Sequence, residues 1–231
     1  MGGDGAIRAV LFDVGGTLID ERDPNLWAEE AAAVGLPVDP EALEHWFEEV
    51  ELENDRPSPR MDRSERWRRV LEKARETPVP DEALRAFLER IDRIDHPPYL
   101  FSDVRRCLDR LRRRRLTLGV LSNSRSEESL RALLKAAGIE RYFSLVVSSG
   151  TEGVAKPDPE IFRRALRRLK LPPGQVLYVG NLAEVDARAA RSAGLRSVWL
   201  NRGGFGFGTD PPEIISLSEV PLAVNSSMRS R

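Results

Sequence analysis

Five short segments of almost unbroken apolar residues recur along the chain, each running into glycine or a polar residue. Ala6–Asp13 reads Ala-Ile-Arg-Ala-Val-Leu-Phe-Asp and runs into Gly15-Gly16. Leu116–Leu121 stops at Ser122-Asn123, Leu145–Val147 at Ser148-Ser149-Gly150, and Val176–Val179 at Gly180-Asn181; Ser197–Leu200 is the fifth. A strand with one solvated face alternates apolar and polar residues. These do not alternate, so both of their faces must be covered. Helical stretches at Asp103–Arg115, Glu127–Ala137, Pro159–Leu169 and Ala183–Ala193 lie around and between the later strands. Strand–helix alternation with short connections predicts an α/β fold, a doubly wound parallel sheet with helices on both faces.

Residues 20–95 break this rhythm. Leu43, Trp46, Phe47 and Val50 follow the i, i+3, i+4, i+7 stripe of an amphipathic helix, as do Trp67, Val70, Leu71 and Ala74, and then Leu84, Phe87, Leu88 and Ile91. Asn25–Val34 is a shorter helix, and Arg56-Pro57-Ser58-Pro59 is a break. The pattern predicts a helical bundle over 20–95 inserted into a core made of 1–19 and 96–231. Trp27, Trp46 and Trp67 read as the core of that bundle. His45 lies in a bundle helix, and His96 stands before Pro97-Pro98 where the chain returns to the sheet.

Composition narrows the function. Lys+Arg total 36 and Asp+Glu 37, which argues against a globally basic nucleic-acid binder. The run Arg112-Arg113-Arg114-Arg115 reads as a solvated helix end, where cations suit the helix dipole, and no nucleic-acid partner is expected. No apolar run approaches the roughly 18 residues of a membrane span, and the first residues lack the apolar core of a signal peptide. With Cys107 as the lone cysteine, a reducing cytoplasm is the expected compartment, and Cys107 itself reads as a small buried residue. Gly203–Gly208 is glycine-rich, but no helix pattern follows it, so it reads as a loop near the sheet edge and not a dinucleotide site.

Ligands of open parallel sheets bind beyond the carboxyl ends of the strands. Those ends carry Asp13, Ser122-Asn123, and Asn181 with Asp186; Lys156 stands in the loop after the third strand, in Ala155-Lys156-Pro157-Asp158-Pro159. Each has a structural explanation by itself, as a strand end, a turn or a helix cap. Their placement on successive strand ends predicts one pocket holding two carboxylates, a hydroxyl, an amide and an ammonium. The Gly15-Gly16 turn lets main-chain N–H groups approach an anion.

In this order the segments Phe12-Asp13-Val14-Gly15-Gly16-Thr17-Leu18, Leu121-Ser122-Asn123, Ala155-Lys156-Pro157-Asp158-Pro159, and Val179-Gly180-Asn181 through Asp186 resemble the four motifs of the haloacid dehalogenase (HAD) superfamily. The helical insert resembles that family's C1-type cap, and the resemblance runs from about Ala6 to Leu217. It implies a Rossmann-like hydrolase. Asp13 would be the nucleophile, Ser122 and Asn123 would hold the transferred anion, and Lys156 would neutralise the nucleophile and the incoming charge. Thr17 would buttress the first loop. Asp13, the main-chain oxygen of Gly15, Asn181 and Asp186 would hold magnesium, with Asp186 alternatively supporting Lys156. The cap would close over a small phosphate ester.

Two departures stand out. The phosphatase branch usually carries a second Asp two residues after the nucleophile, as general acid/base, where this chain has Gly15. It usually carries a metal-binding Asp after the glycine of the fourth motif, where this chain has Asn181. A missing carboxylate removes about 4 kcal/mol of attraction at ~4 Å for an effective dielectric near 20, before desolvation. Weak metal binding follows, with Glu184 as a candidate replacement oxygen. A missing acid costs about 10²–10⁴-fold with poor leaving groups. The resemblance therefore leaves three readings: a magnesium-dependent phosphatase, a metal-independent 2-haloacid dehalogenase acting on a haloacid, or a non-catalytic binding protein. The dehalogenase branch also lacks the second Asp, but it usually has a bulky aromatic at the position of Gly15 and a differently spaced fourth motif.

Overall fold

The protein is described from a computed structural model, covering residues 5–20, 24–54, 61–93, 99–203 and 210–225. It divides into two compact units, Met1–Glu21 with Pro97–Arg231, and Arg22–His96. The first unit contains strands β1 (Ala9–Phe12), β2 (Ile19–Asp20), β3 (Tyr99–Leu100), β4 (Thr117–Ser122), β5 (Leu145–Ser148), β6 (Val176–Gly180), β7 (Arg196–Leu200) and β8 (Glu213–Ile214). Six of them form a sheet in the order β5-β4-β1-β6-β7-β8, every pairing parallel. β2 and β3 form a separate antiparallel pair.

The all-apolar strands are buried on both faces, as their composition requires. Along β1, Val10 and Phe12 pack on one side with Cys107, Leu108 and Leu111 of α5 (Val104–Arg113) and with Leu130 and Leu134 of α6 (Glu127–Ala136). Ala9 and Leu11 pack on the other with Ile161, Phe162 and Ala165 of α8 (Pro159–Leu169). Successive strand residues point to opposite faces, so one four-residue strand anchors two helical layers. Cys107 is buried, and burial pushes its thiol up to about 12, which leaves it unreactive.

Topology places the strand ends. β1 lies between β4 and β6, with Phe12 opposite Val120 on one side and Val179 on the other. The residues that follow these three strands therefore emerge side by side where the connections diverge to the two sheet halves. That is where an open α/β sheet forms a crevice.

Some elements differ from the sequence reading. β8 is a two-residue strand after Pro212, and it joins the sheet through Trp199 N–H to Pro212 O and Asn201 N–H to Ile214 O, both 2.8 Å. Nothing periodic marks so short a strand. The helix expected over Ala183–Ala193 is a π-helical turn, Ala183–Arg188, followed by α9 (Ala189–Ser192). Apolar spacing does not distinguish a widened turn from an ordinary one. A single helical turn, α7 (Ser149–Glu152), directly follows β5, and α10 (Val220–Asn225) closes the described chain. Of the Arg112–Arg115 run, Arg112 lies over the Tyr142 ring and Arg114 donates to Pro221 O. The break at Arg56–Pro59, His96 and most of Gly203–Gly208 fall outside the described residues.

The second unit comprises α1 (Pro24–Ala32), α2 (Pro40–Asn54), α3 (Arg63–Arg75) and α4 (Asp81–Ile91). Its core is aromatic: Trp67 lies 5.0 Å from Trp27, 5.2 Å from Phe47 and 5.1 Å from Phe87, ring centre to ring centre. Trp46 is half-buried, with the Lys73 ammonium 4.3 Å from its ring centre and His45 against its edge. Phe87 is fully buried within this cluster. Phe87→Ala should therefore lower unfolding stability by about 3–5 kcal/mol. A denaturant midpoint unchanged by the substitution would show that the aromatic cluster does not hold the bundle.

Candidate active site

The site starts where β1 ends. Asp13 leaves the sheet with its main-chain N–H on Val179 O, 2.9 Å. The chain then turns around the Val14 carbonyl, which accepts from the N–H groups of Thr17, Leu18 and Ile19. Gly16 has φ +70°, and a Cβ there would collide with Asn181 Nδ2. Glycine is thus required both for the backbone conformation and for the close approach of Asn181. Thr17 is wholly buried; its Oγ1 lies 3.4 Å from Asp13 Oδ2 and 3.3 Å from Asn181 Oδ1. One hydroxyl proton serves only one of them at a time. The Thr17 carbonyl accepts from Arg202 Nη2, 2.8 Å, and Arg202 is itself held by Asp103.

Lys156 reaches this point from the loop before α8. Asn123 fixes that loop by both ends of its amide: Oδ1 accepts from Lys156 N–H at 2.9 Å and Nδ2 donates to Lys156 O at 3.0 Å. The Lys156 ammonium donates to Asp13 Oδ1 at 2.5 Å, Asp186 Oδ1 at 2.6 Å and Tyr178 Oη at 3.0 Å. Its three protons have three acceptors. Asp186 folds back over the end of β6, where its Oδ2 accepts from Leu182 N–H at 3.0 Å. A Cβ at Gly180 would overlap the Asp186 carboxylate, so glycine at the strand end makes this approach possible.

Lys156, Asp186 and Asp13 are 5%, 1% and 6% exposed. Their formal charges sum to −1 when both acids are ionised. Burial pushes Asp13 up to about 6; Lys156 opposes that and the neighbouring Asp186 charge adds to it. Burial works against the Lys156 ammonium, but Asp13 and Asp186 outweigh it and hold Lys156 above its ordinary value. Burial, then Asp186 and Asp13, push the Tyr178 phenol well above the usual tyrosine range, so it stays protonated.

Asp13, Thr17, Lys156, Asn181 and Asp186 thus meet at one place. Ser122 is buried at the end of β4, and its hydroxyl makes no hydrogen bond among the described residues. The Asn123 side-chain amide is spent on the Lys156 main chain. Glu184 pairs with Arg188. Tyr178 was missed. Its only sequence signal is a phenol within an otherwise aliphatic buried strand, where a hydroxyl needs a partner.

The oxygens available to a cation are few. Both oxygens of Asp186 are engaged, and no cluster of three His, Cys, Asp or Glu residues that could hold a metal occurs among the described residues. Asp13 Oδ2 and Asn181 Oδ1 converge on Thr17 Oγ1 through long contacts only. These two hard oxygens, one of them anionic, fit a divalent cation weakly.

The family model for haloacid dehalogenase-like hydrolases matches residues 7–194. The chain belongs to this family. A phosphoserine phosphatase of Thermus thermophilus is 37% identical over 137 residues, 59% of this chain and 53% of that protein. An (S)-2-haloacid dehalogenase of a Pseudomonas species is 35% identical over 135 residues, 57% of this chain and 58% of that protein. The chain thus spans little more than half the length of these two relatives. The solved structure of a HAD phosphatase from Thermococcus onnurineus is 27% identical, covers 95% of this chain and 98% of its own, and superposes with a TM-score of 0.60. Family relatives thus include both phosphatases and a dehalogenase.

Two outcomes follow from this geometry. An Asp13 that must be ionised to act, and that titrates at about 6, gives a pH–rate profile falling below that value with a one-proton slope. A rate independent of pH across that region would separate Asp13 from the chemistry. Gly180→Ala should displace Asp186 and lower activity by about tenfold or more, since a misplacement of about 1 Å can cost about a hundredfold. Activity equal to the parent protein would show that the Asp186 approach is dispensable.

Proposed function

We propose that this hydrolase is a phosphatase of small phosphorylated metabolites that works through an aspartyl-phosphate on Asp13. The observation carrying the reading is the buried 2.5 Å pair of Asp13 Oδ1 and the Lys156 ammonium at the carboxyl end of the central strand. With Oδ1 held by the lysine, Oδ2 retains the lone pair for attack. The pair forms an Oδ2–P bond as the bond from phosphorus to the leaving oxygen breaks, and the departing group takes a proton from solvent. Lys156 offsets the repulsion between a carboxylate and an incoming dianion, and the Ser122 hydroxyl, without a hydrogen bond among the described residues, can donate to a phosphoryl oxygen. Water then attacks phosphorus, the Oδ2–P bond breaks, and its electrons return to Asp13.

Magnesium held by the Asp13 carboxylate and Asn181 Oδ1, with the Gly15 main-chain oxygen as the further ligand that the resemblance implies, would supply Lewis-acid stabilisation of the phosphoryl charge. The spacing Asn181…Asp186 keeps the phosphatase pattern of the fourth motif that the chain resembles. Gly15 and Asn181 support a second reading, a 2-haloacid dehalogenase that needs neither a proton donor for halide nor a metal.

An aryl phosphate assayed with magnesium and with a chelator, beside short 2-haloacids with a chelator, separates the readings. Phosphate release abolished by Asp13→Asn supports the phosphatase, and halide release supports the dehalogenase. Turnover of neither, across a broad ester panel, would leave a binding protein. Gly15 is not among the residues with positive φ. Gly15→Asp should raise turnover of alkyl phosphates by about tenfold or more while changing aryl phosphates little. Asn181→Asp should lower the magnesium concentration for half-maximal rate. Variants indistinguishable from the parent in both assays would remove these roles.

A further inference from the structure

We propose that Tyr178 is a positioning residue for the second half of the reaction, its phenol holding the Lys156 ammonium in place while Asp13 is esterified. This rests on the aspartyl-phosphate reading above. In the resting site the ammonium is held from three directions, by Asp13 Oδ1, Asp186 Oδ1 and Tyr178 Oη. Esterification changes one of them. Once Oδ2 is bonded to phosphorus, Oδ1 is a neutral carbonyl oxygen, and a charge-assisted hydrogen bond becomes an ordinary one. Asp186 alone would draw the ammonium toward itself without fixing its direction.

Tyr178 supplies the other fixed point. Its ring packs edge-on against Phe162, 5.0 Å between centres. Its hydroxyl lies 3.1 Å from Leu121 O and 3.1 Å from Asp186 Oδ1, and donates to one of them while accepting from Lys156. The oxygen is therefore carried by strand β6, with Leu121 O and Asp186 Oδ1 as its acceptors, and is untouched by the covalent change at Asp13.

The consequence is asymmetric. When the aspartyl-phosphate forms, the Asp13 carboxylate itself helps to hold Lys156. When water attacks, its oxygen bonds to phosphorus and the P–Oδ2 bond breaks. The electron pair and negative charge return to Asp13, and the water proton passes to solvent. The ammonium must stand at Oδ1 at that moment to stabilise the departing carboxylate. Loss of the phenol should therefore slow breakdown of the intermediate more than its formation.

Tyr178→Phe keeps the ring against Phe162 and removes only the hydroxyl; Tyr178→Met is a second hydroxyl-free variant with a side chain that adapts to the space. With an aryl phosphate, each variant should show kcat lowered about tenfold, the scale of one hydrogen bond to a charged group. KM should fall in step, leaving kcat/KM within about twofold, with a burst of aryl alcohol equal to the enzyme and hydroxylamine-sensitive phosphate on the quenched protein. A loss in kcat/KM as large as that in kcat with no burst, or an unchanged kcat, would overturn the proposal. Failure of both variants to fold would also count against it, because the hydroxyl would then be holding the sheet and not the ammonium. Full activity of Asp13→Asn would instead defeat the aspartyl-phosphate reading itself.

Discussion

One ammonium, buried between two carboxylates, is the interaction on which the rest of this site depends. Without Lys156, Asp13 and Asp186 would be two acids out of water beside each other, and one would retain its proton. Coulomb attraction of about 4 kcal/mol per close contact at an effective dielectric near 20 is set against a desolvation cost of several kcal/mol per ion. Such a cluster is a poor device for stability. In the proposed reaction its value is chemical: the carboxylate is ionised near neutral pH beside a positive charge that can meet an anionic substrate.

Every neighbouring feature serves that geometry. Asn123 fixes the Lys156 main chain, and Tyr178 and Asp186 fix its side chain. Gly180 admits Asp186, and Gly16 admits Asn181 against the turn that follows Asp13. Behind that turn, Arg202 joins the Thr17 carbonyl to Asp103, whose carboxyl Arg202 and Ser216 hold below the usual carboxylate range despite partial burial. The two departures from the phosphatase pattern act in one direction. Gly15 removes a proton donor, and Asn181 replaces an anionic oxygen with a neutral one. What remains is a site whose positive charge comes chiefly from a lysine.

The sheet was legible in the sequence because burial leaves a local trace. Ala9–Phe12 is apolar throughout, and Val176–Gly180 but for the Tyr178 hydroxyl, since helices cover both of their faces, and that pattern indicates a parallel layer. The strand-end rule then picked out Asp13, Lys156, Asn181 and Asp186 without any knowledge of distances. β8 left no trace, because two residues carry no period, and the π-helical turn left none because apolar spacing tolerates a widened helix.

What the sequence by itself determined is which residues are buried and which polar groups stand at strand ends, since both follow from neighbours within a few positions. Partnership is different. Lys156 meets Asp13 across 143 positions, and Tyr178 meets Lys156 across 22. Those meetings exist because β1 lies between β4 and β6, an order that no local pattern encodes. The roles of Asn123 and Tyr178 belonged to tertiary structure for the same reason: a hydrogen bond needs both groups in place within about 3 Å, and only the assembled sheet sets that distance.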